Sequence, residues 1–98
     1  MVDVRQLHVD SRRLLESVSD RLPPDKLEFY RNLSNAGEWS DLVDVLAASL
    51  VKRRIAVTPE ERDLLAGVLA MFTAPESEYA YLSDPEGTLA ALTLAGQA

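Results

Sequence analysis

The chain contains no cysteine and a single histidine, His8. Without thiols there is no disulfide framework and no thiolate metal site. One imidazole cannot assemble the convergent ligands of a metal centre either, so His8 reads as a partly exposed or hydrogen-bonded helix residue. No cysteine or glycine-flanked serine is available to form a nucleophile–base pair with it. Phosphate-binding loops, H-E-x-x-H pairs and EF-hand loops are missing as well. These absences predict a non-enzyme that carries no cofactor and no metal.

Aromatic residues make up only 6% of the chain, so a core has to be built from Leu, Val and Ala. No apolar run approaches the ~20 residues of a membrane span. The opening M-V-D-V-R-Q-L-H shows no basic region leading into an apolar stretch, which predicts no signal peptide. A cytoplasmic protein with no membrane partner is the expectation. Basic residues are absent from positions 63–98, which hold Asp63, Glu76, Glu78, Asp84 and Glu86; residues 1–62 hold 11 acidic and 10 basic groups. The net charge of −6 and pI near 4.6 therefore come almost wholly from the C-terminal third. An acidic surface repels phosphate backbones and favours a basic protein partner, so nucleic acid is not expected as a ligand.

What is present is helix grammar. The 98 residues suit one domain. Leu and Ala abound, and both are strong helix formers. The spacing predicts an all-α, compact four-helix bundle with helices over about 3–21, 24–36, 38–53 and 59–72. A C-terminal acidic extension over 73–98 follows. It contains a short fifth helix over 85–95 and either packs on the bundle or frays from it.

The first helix, capped by Asp3, offers Val4, Leu7, Leu14, Leu15, Val18 and Leu22 as one apolar face. Pro23-Pro24-Asp25 opens the second helix, since proline suits the first helical position and an early carboxylate suits the dipole. Leu27, Tyr30 and Leu33 give it an apolar edge with Phe29 beside them, and Gly37 fits a left-handed cap. In the third helix Trp39, Leu42, Val43, Leu46 and Leu50 cluster on one face. Val45, Ala48 and Val51 add apolar surface beyond it, as in a helix that touches several neighbours. Lys52-Arg53-Arg54 at its end reads first as dipole complementarity and second as a weak nucleic-acid patch. Ile55-Ala56-Val57 alternates like a short extended connector. Thr58-Pro59-Glu60-Glu61 is a capping box with proline at the first position. Leu64, Leu65, Val68, Leu69 and Phe72 form the inner face of the fourth helix. Gly67 within it is either a mild cost or a point of close approach.

The run Phe29-Tyr30, Ala36-Gly37-Glu38-Trp39, Leu42, Leu46, Leu50, Ile55-Ala56-Val57-Thr58-Pro59-Glu60-Glu61, Leu64-Leu65 resembles the MafI-like immunity proteins. That family joins a helical hairpin with a Gly-Glu-aromatic turn to a Leu-periodic helix. An "I-x-L/V-T/S-x-E-E" entry into the last helix follows. Order, spacing and connector match over about residues 14–72, and the chain continues for 26 residues beyond. The resemblance implies a small bacterial antitoxin that binds and neutralises a cognate secreted polymorphic toxin domain. The partner implied is a basic C-terminal toxin domain, whose active site or substrate path is occluded.

The alternative function is a helical adaptor, secretion chaperone or regulatory subunit that self-associates through Val45, Ala48 and Val51. A DNA-binding helix-turn-helix is disfavoured by the charge. Acidic groups with aromatic anchors are the candidate partner-binding residues: Asp41 and Asp44, and in the tail Glu76, Glu78, Tyr79, Tyr81, Asp84 and Glu86. The plainer reading of Asp41 and Asp44 is a solvated helix face. For Tyr79 and Tyr81 it is rings that lid the bundle with their hydroxyls in water.

Overall fold

In the computed structural model, which describes residues 4–72 and 79–95, the protein is all-α. Helix α1 (Val4–Ser17) passes into a 3₁₀ turn at Ser19–Arg21; α2 (Pro24–Asn35) and α3 (Trp39–Lys52) follow. A short strand β1 (Ala56–Val57) leads into α4 (Pro59–Ala70). Helix α5 (Pro85–Ala91) and strand β2 (Thr93–Leu94) end the described chain. Helix α1 packs against α2, α3 and α4, and α3 also touches α2 and α5. The centre is therefore shared between α1 and α3, where periodicity points to α3 alone.

The expected leucine faces build one core. Leu14, Leu15, Val18, Leu42, Leu46, Leu50, Leu65, Val68 and Leu69 are all at most 1% exposed. Fully burying one such side chain is worth about 1.5–3 kcal/mol, so this cluster supplies most of the favourable term in folding. Val4 departs from the expectation. It lies one turn before Leu7, the first buried residue of α1, and is exposed. The Asp3 cap lies outside the described residues.

Helices α2 and α3 each end in a Schellman cap. At the first, Gly37 takes φ 74°, and the amides of Gly37 and Glu38 close on the carbonyls of Ser34 and Leu33. At the second, Arg54 and Ile55 donate to Val51 and Leu50 in the same pattern, and the left-handed residue is Arg54 at φ 52°. Ile55 and Val57 then turn into the core, which locks the connector between α3 and α4.

The strand pair is absent from the sequence-based expectation, which continues the fifth helix to residue 95. Helix α5 stops at Ala91, where Leu92 takes extended backbone angles. Thr93 and Leu94 then pair in parallel with Ala56 and Val57, and the Ala95 amide donates to the Val57 carbonyl at 2.7 Å. The extended connector leaves backbone groups that a helix would satisfy internally. A second extended segment satisfies them, and that overrides the helical preference of a short Leu/Ala run. Of the two expectations for the extension, packing rather than fraying holds for residues 79–95: Leu82 is buried, and Leu89, Leu92 and Leu94 pack on the core.

A buried carboxylate ties the elements together. Thr58 Oγ1 accepts the Glu61 amide, and Glu61 Oε1 accepts the Thr58 amide at 2.8 Å, completing the expected capping box. The same carboxylate, 6% exposed, is gripped by both arms of the Arg21 guanidinium at 2.7 and 2.8 Å. It also accepts from the Ser17 hydroxyl. Arg21 donates further to the carbonyls of Ser17 and Ala56. One ion pair thus links the end of α1, β1 and the start of α4. A looser fork, Arg31 to Glu16 at 2.6 and 2.9 Å, ties α2 to α1; Arg12 joins Glu16 and Asn35 beside it. The Arg31 bonds hold the Glu16 carboxyl below its usual range.

Arg21, with help from Ser17 and the Thr58 amide, lowers the Glu61 carboxyl from 4.5 to about 2 against the opposing effect of burial. Because the folded value lies below the unfolded one, the stabilisation is complete above about pH 4.5 and is lost as pH falls toward 2. It amounts to roughly 3 kcal/mol. Urea midpoints measured across this window should fall with pH in the native chain and change much less in Glu61→Gln. Gly67 is a separate case. A Cβ there would meet nothing within 4 Å, so of its two readings the simple helix cost holds. Gly67→Ala should raise stability by about 0.5–1 kcal/mol in the same assay.

Candidate partner-binding surface

The candidate residues of α3 and of the tail come together. Asp41 and Asp44, one turn apart on α3, face the segment 79–82 rather than open water. Asp41 Oδ1 accepts the Tyr79 hydroxyl at 2.7 Å. Asp44 Oδ1 accepts the backbone amides of Tyr81 and Leu82 at 2.9 and 3.2 Å. The solvated-face reading of the two aspartates is thus replaced by a clasp. The reading of a wet Tyr79 hydroxyl is replaced as well. One helix carboxylate meets two amides of a turn and the other a tyrosine hydroxyl, and a charged acceptor makes such bonds about 1.5–3 kcal/mol each.

Below the clasp Leu82 enters the core, and Thr88 Oγ1, itself buried, donates to the Tyr81 carbonyl at 3.0 Å. Asp84 is the N-cap of α5 and accepts the Gly87 amide at 3.1 Å. Proline at the next position completes the expected helix start. Glu86 lies exposed in the first turn of α5. The structure therefore gathers Asp41, Asp44, Tyr79, Tyr81, Asp84 and Glu86 into one acidic, aromatic lobe resting on α3. Glu76 and Glu78 lie outside the described residues.

Thr88 is the member of this lobe that sequence reading misses. A threonine four residues after an Asp-Pro helix start was the available signal, and its burial depends on the turn it closes. At the other end of α3, Trp39 Nε1 donates to His8 Nδ1 at 3.2 Å with the rings edge to face at 5.6 Å. That contact anchors the Gly37-Glu38-Trp39 turn onto α1 and agrees with the hydrogen-bonded reading of His8.

A groove of about 380 Å³ opens beside the capping box, lined by Arg13, Thr58, Glu60 and Asp63 among others. The buried carboxylate at its floor, Glu61, is already satisfied by Arg21 and Ser17. Among the described residues no group of three acidic or imidazole side chains is placed to hold a metal ion. None of the described helices is long and apolar enough to cross a membrane. Comparison with protein-family models, curated proteins and solved structures finds no match to this chain.

The clasp makes a direct test possible. Asp44→Ala leaves the Tyr81 and Leu82 amides without their acceptor and should cost about 1.5–3 kcal/mol. Hydrogen exchange should then accelerate at Leu82 and through α5 and β2, while α1 stays protected. Equal acceleration in all the helices would show that the clasp is not a separate fastening.

Proposed function

We propose that this protein is an immunity protein of the MafI-like kind, acting in the cytoplasm by binding rather than catalysis. Its partner is a basic, secreted polymorphic toxin domain, and binding covers the active site or substrate path of that domain. The observation that carries this reading is the unbalanced acidic lobe. Among the described residues Asp84 and Glu86 of this lobe form no ion pair, and positions 63–98 contain no basic residue. Uncompensated charge at one end of a small domain raises its encounter rate with a basic partner and sets its orientation. Tyr79 and Tyr81 beside it supply the ring surface on which interface energy concentrates.

The scaffold supports the same reading. The residues that carry the family resemblance are those that hold the fold: Gly37 at its cap, Trp39 on His8, Ile55 and Val57 in the core, and Thr58 with Glu61 in the capping box.

Co-expression with the toxin domain encoded next to this chain tests the proposal. Growth rescue and a stable one-to-one complex are expected. Persistent toxicity in the presence of soluble protein would sink it, and a self-associated species without a complex would favour the adaptor. Once a complex is in hand, reversing Glu76 and Glu78 to lysine should slow association and flatten its dependence on salt.

A further inference from the structure

A groove of about 420 Å³ runs along α3 between α2 and the turn at 79–82. Its lining is apolar at Val45 and Ala48, with the hydroxyls of Tyr30 and Ser49 bonded to each other. Its lining is also basic, with Lys26 from α2 and Lys52 and Arg53 from the end of α3. All three are exposed, and none forms an ion pair among the described residues. The acidic residue that lines the groove, Asp44, spends one oxygen on the Tyr81 and Leu82 amides.

Two features here run against local stability. Lys26 sits in the first turn of α2, where the helix dipole disfavours a cation. Arg54, next in the chain after Arg53, holds the left-handed position of a Schellman cap, which is ordinary for glycine and strained for other residues. In a chain of net charge −6, Lys26 thus brings a charge that does not serve its own helix beside Lys52 and Arg53, which complement the α3 dipole. Phe29, one turn from Lys26 on α2, is half exposed on the same side of that helix.

We propose that this groove is a docking site for an acidic, apolar segment of a protein partner. Carboxylates of the segment would meet Lys26, Lys52 and Arg53, and an aliphatic side chain would rest on Val45 and Ala48. The apolar floor suits a peptide better than a phosphate chain, and the acidic remainder of the surface repels a long polyanion. The groove shares Asp44 and Tyr81 with the acidic lobe, whereas Lys26, Lys52 and Arg53 belong to the groove alone, so variants at those basic residues separate this proposal from the toxin-binding reading. It also gives two of the outer apolar residues of α3 a use, since Val45 and Ala48 line the groove.

The test uses the full chain and a fluorescein-labelled peptide of alternating glutamate and leucine, with binding read by anisotropy. The peptide is expected to bind, more weakly as salt is raised. Lys26→Glu and Arg53→Glu should each weaken it about tenfold, whereas Arg13→Glu, away from the groove, should leave it unchanged. Lys26→Glu places a carboxylate in the first turn of a helix, so its helical circular dichroism should match the native chain, and lost binding then reports on the site. Native-like affinity in both groove variants overturns the proposal. So does equal weakening by Arg13→Glu, which would reveal only diffuse attraction. A thymidine oligonucleotide that displaces the peptide at lower concentration would overturn the partner class.

Discussion

The bidentate pair between Arg21 and Glu61 is the constraint on which the rest of the architecture depends. Glu61 is buried, and an isolated carboxylate there would be prohibitively expensive. It is tolerated because both oxygens are filled, by a fork from Arg21, a hydroxyl from Ser17 and the amide of Thr58. Satisfying it requires the end of α1, the connector and the start of α4 to sit in one arrangement. Arg21 adds to this by donating to the Ala56 carbonyl, which places β1. With β1 placed, β2 has an edge to join, and the C-terminal segment has somewhere to go. Replacing such a pair by apolar residues is often neutral for stability, so what it supplies here is the path of the chain.

A second set of carboxylates does comparable work at lower burial. Asp41 and Asp44 hold the turn at 79–82 against α3, and the Asp84 cap starts α5 beyond it. The lobe proposed to meet a basic partner is therefore fastened at two places, by this clasp and by the β1–β2 pair. A lobe held in that way loses little conformational freedom on binding, which favours affinity. The fastening also divides the acidic residues by role. Those on α3 and the Asp84 cap are engaged within the chain, and Glu86 in the first turn of α5 is exposed. The basic groups of α2 and α3 line a groove that adjoins this lobe at Asp44 and Tyr81, so charges of both signs lie side by side despite the acidic total.

Much of the fold was legible along the chain because it follows from local rules. Leucine spacing marks α1, α3 and α4, Pro24 and Pro59 mark helix starts, and Gly37 marks a left-handed cap. The capping box at Thr58 and Glu61 was readable as a four-residue motif. The candidate site was legible as a composition, acidic with tyrosines, and the residues named for it within the described chain do gather on one lobe. Their contacts were not legible. Nothing in the spacing of Asp41 and Asp44 distinguishes a wet helix face from an acceptor pair, since the hydroxyl that Asp41 accepts and the amides that Asp44 accepts lie 37 or 38 residues away.

By itself, then, the order of residues determined that the chain is all-α, where its main helices start and stop, and which faces they bury. Those outcomes depend on interactions within one or two helical turns. Tertiary structure alone decided that Glu61 answers Arg21 as well as Thr58, and that a connector becomes a strand because residues 93–94 arrive beside it. It also decided that α5 stops at Ala91 and that Lys26 lines one groove with Lys52 and Arg53. Each of these joins groups far apart in sequence. They become neighbours only once the leucine core has set the helices in place.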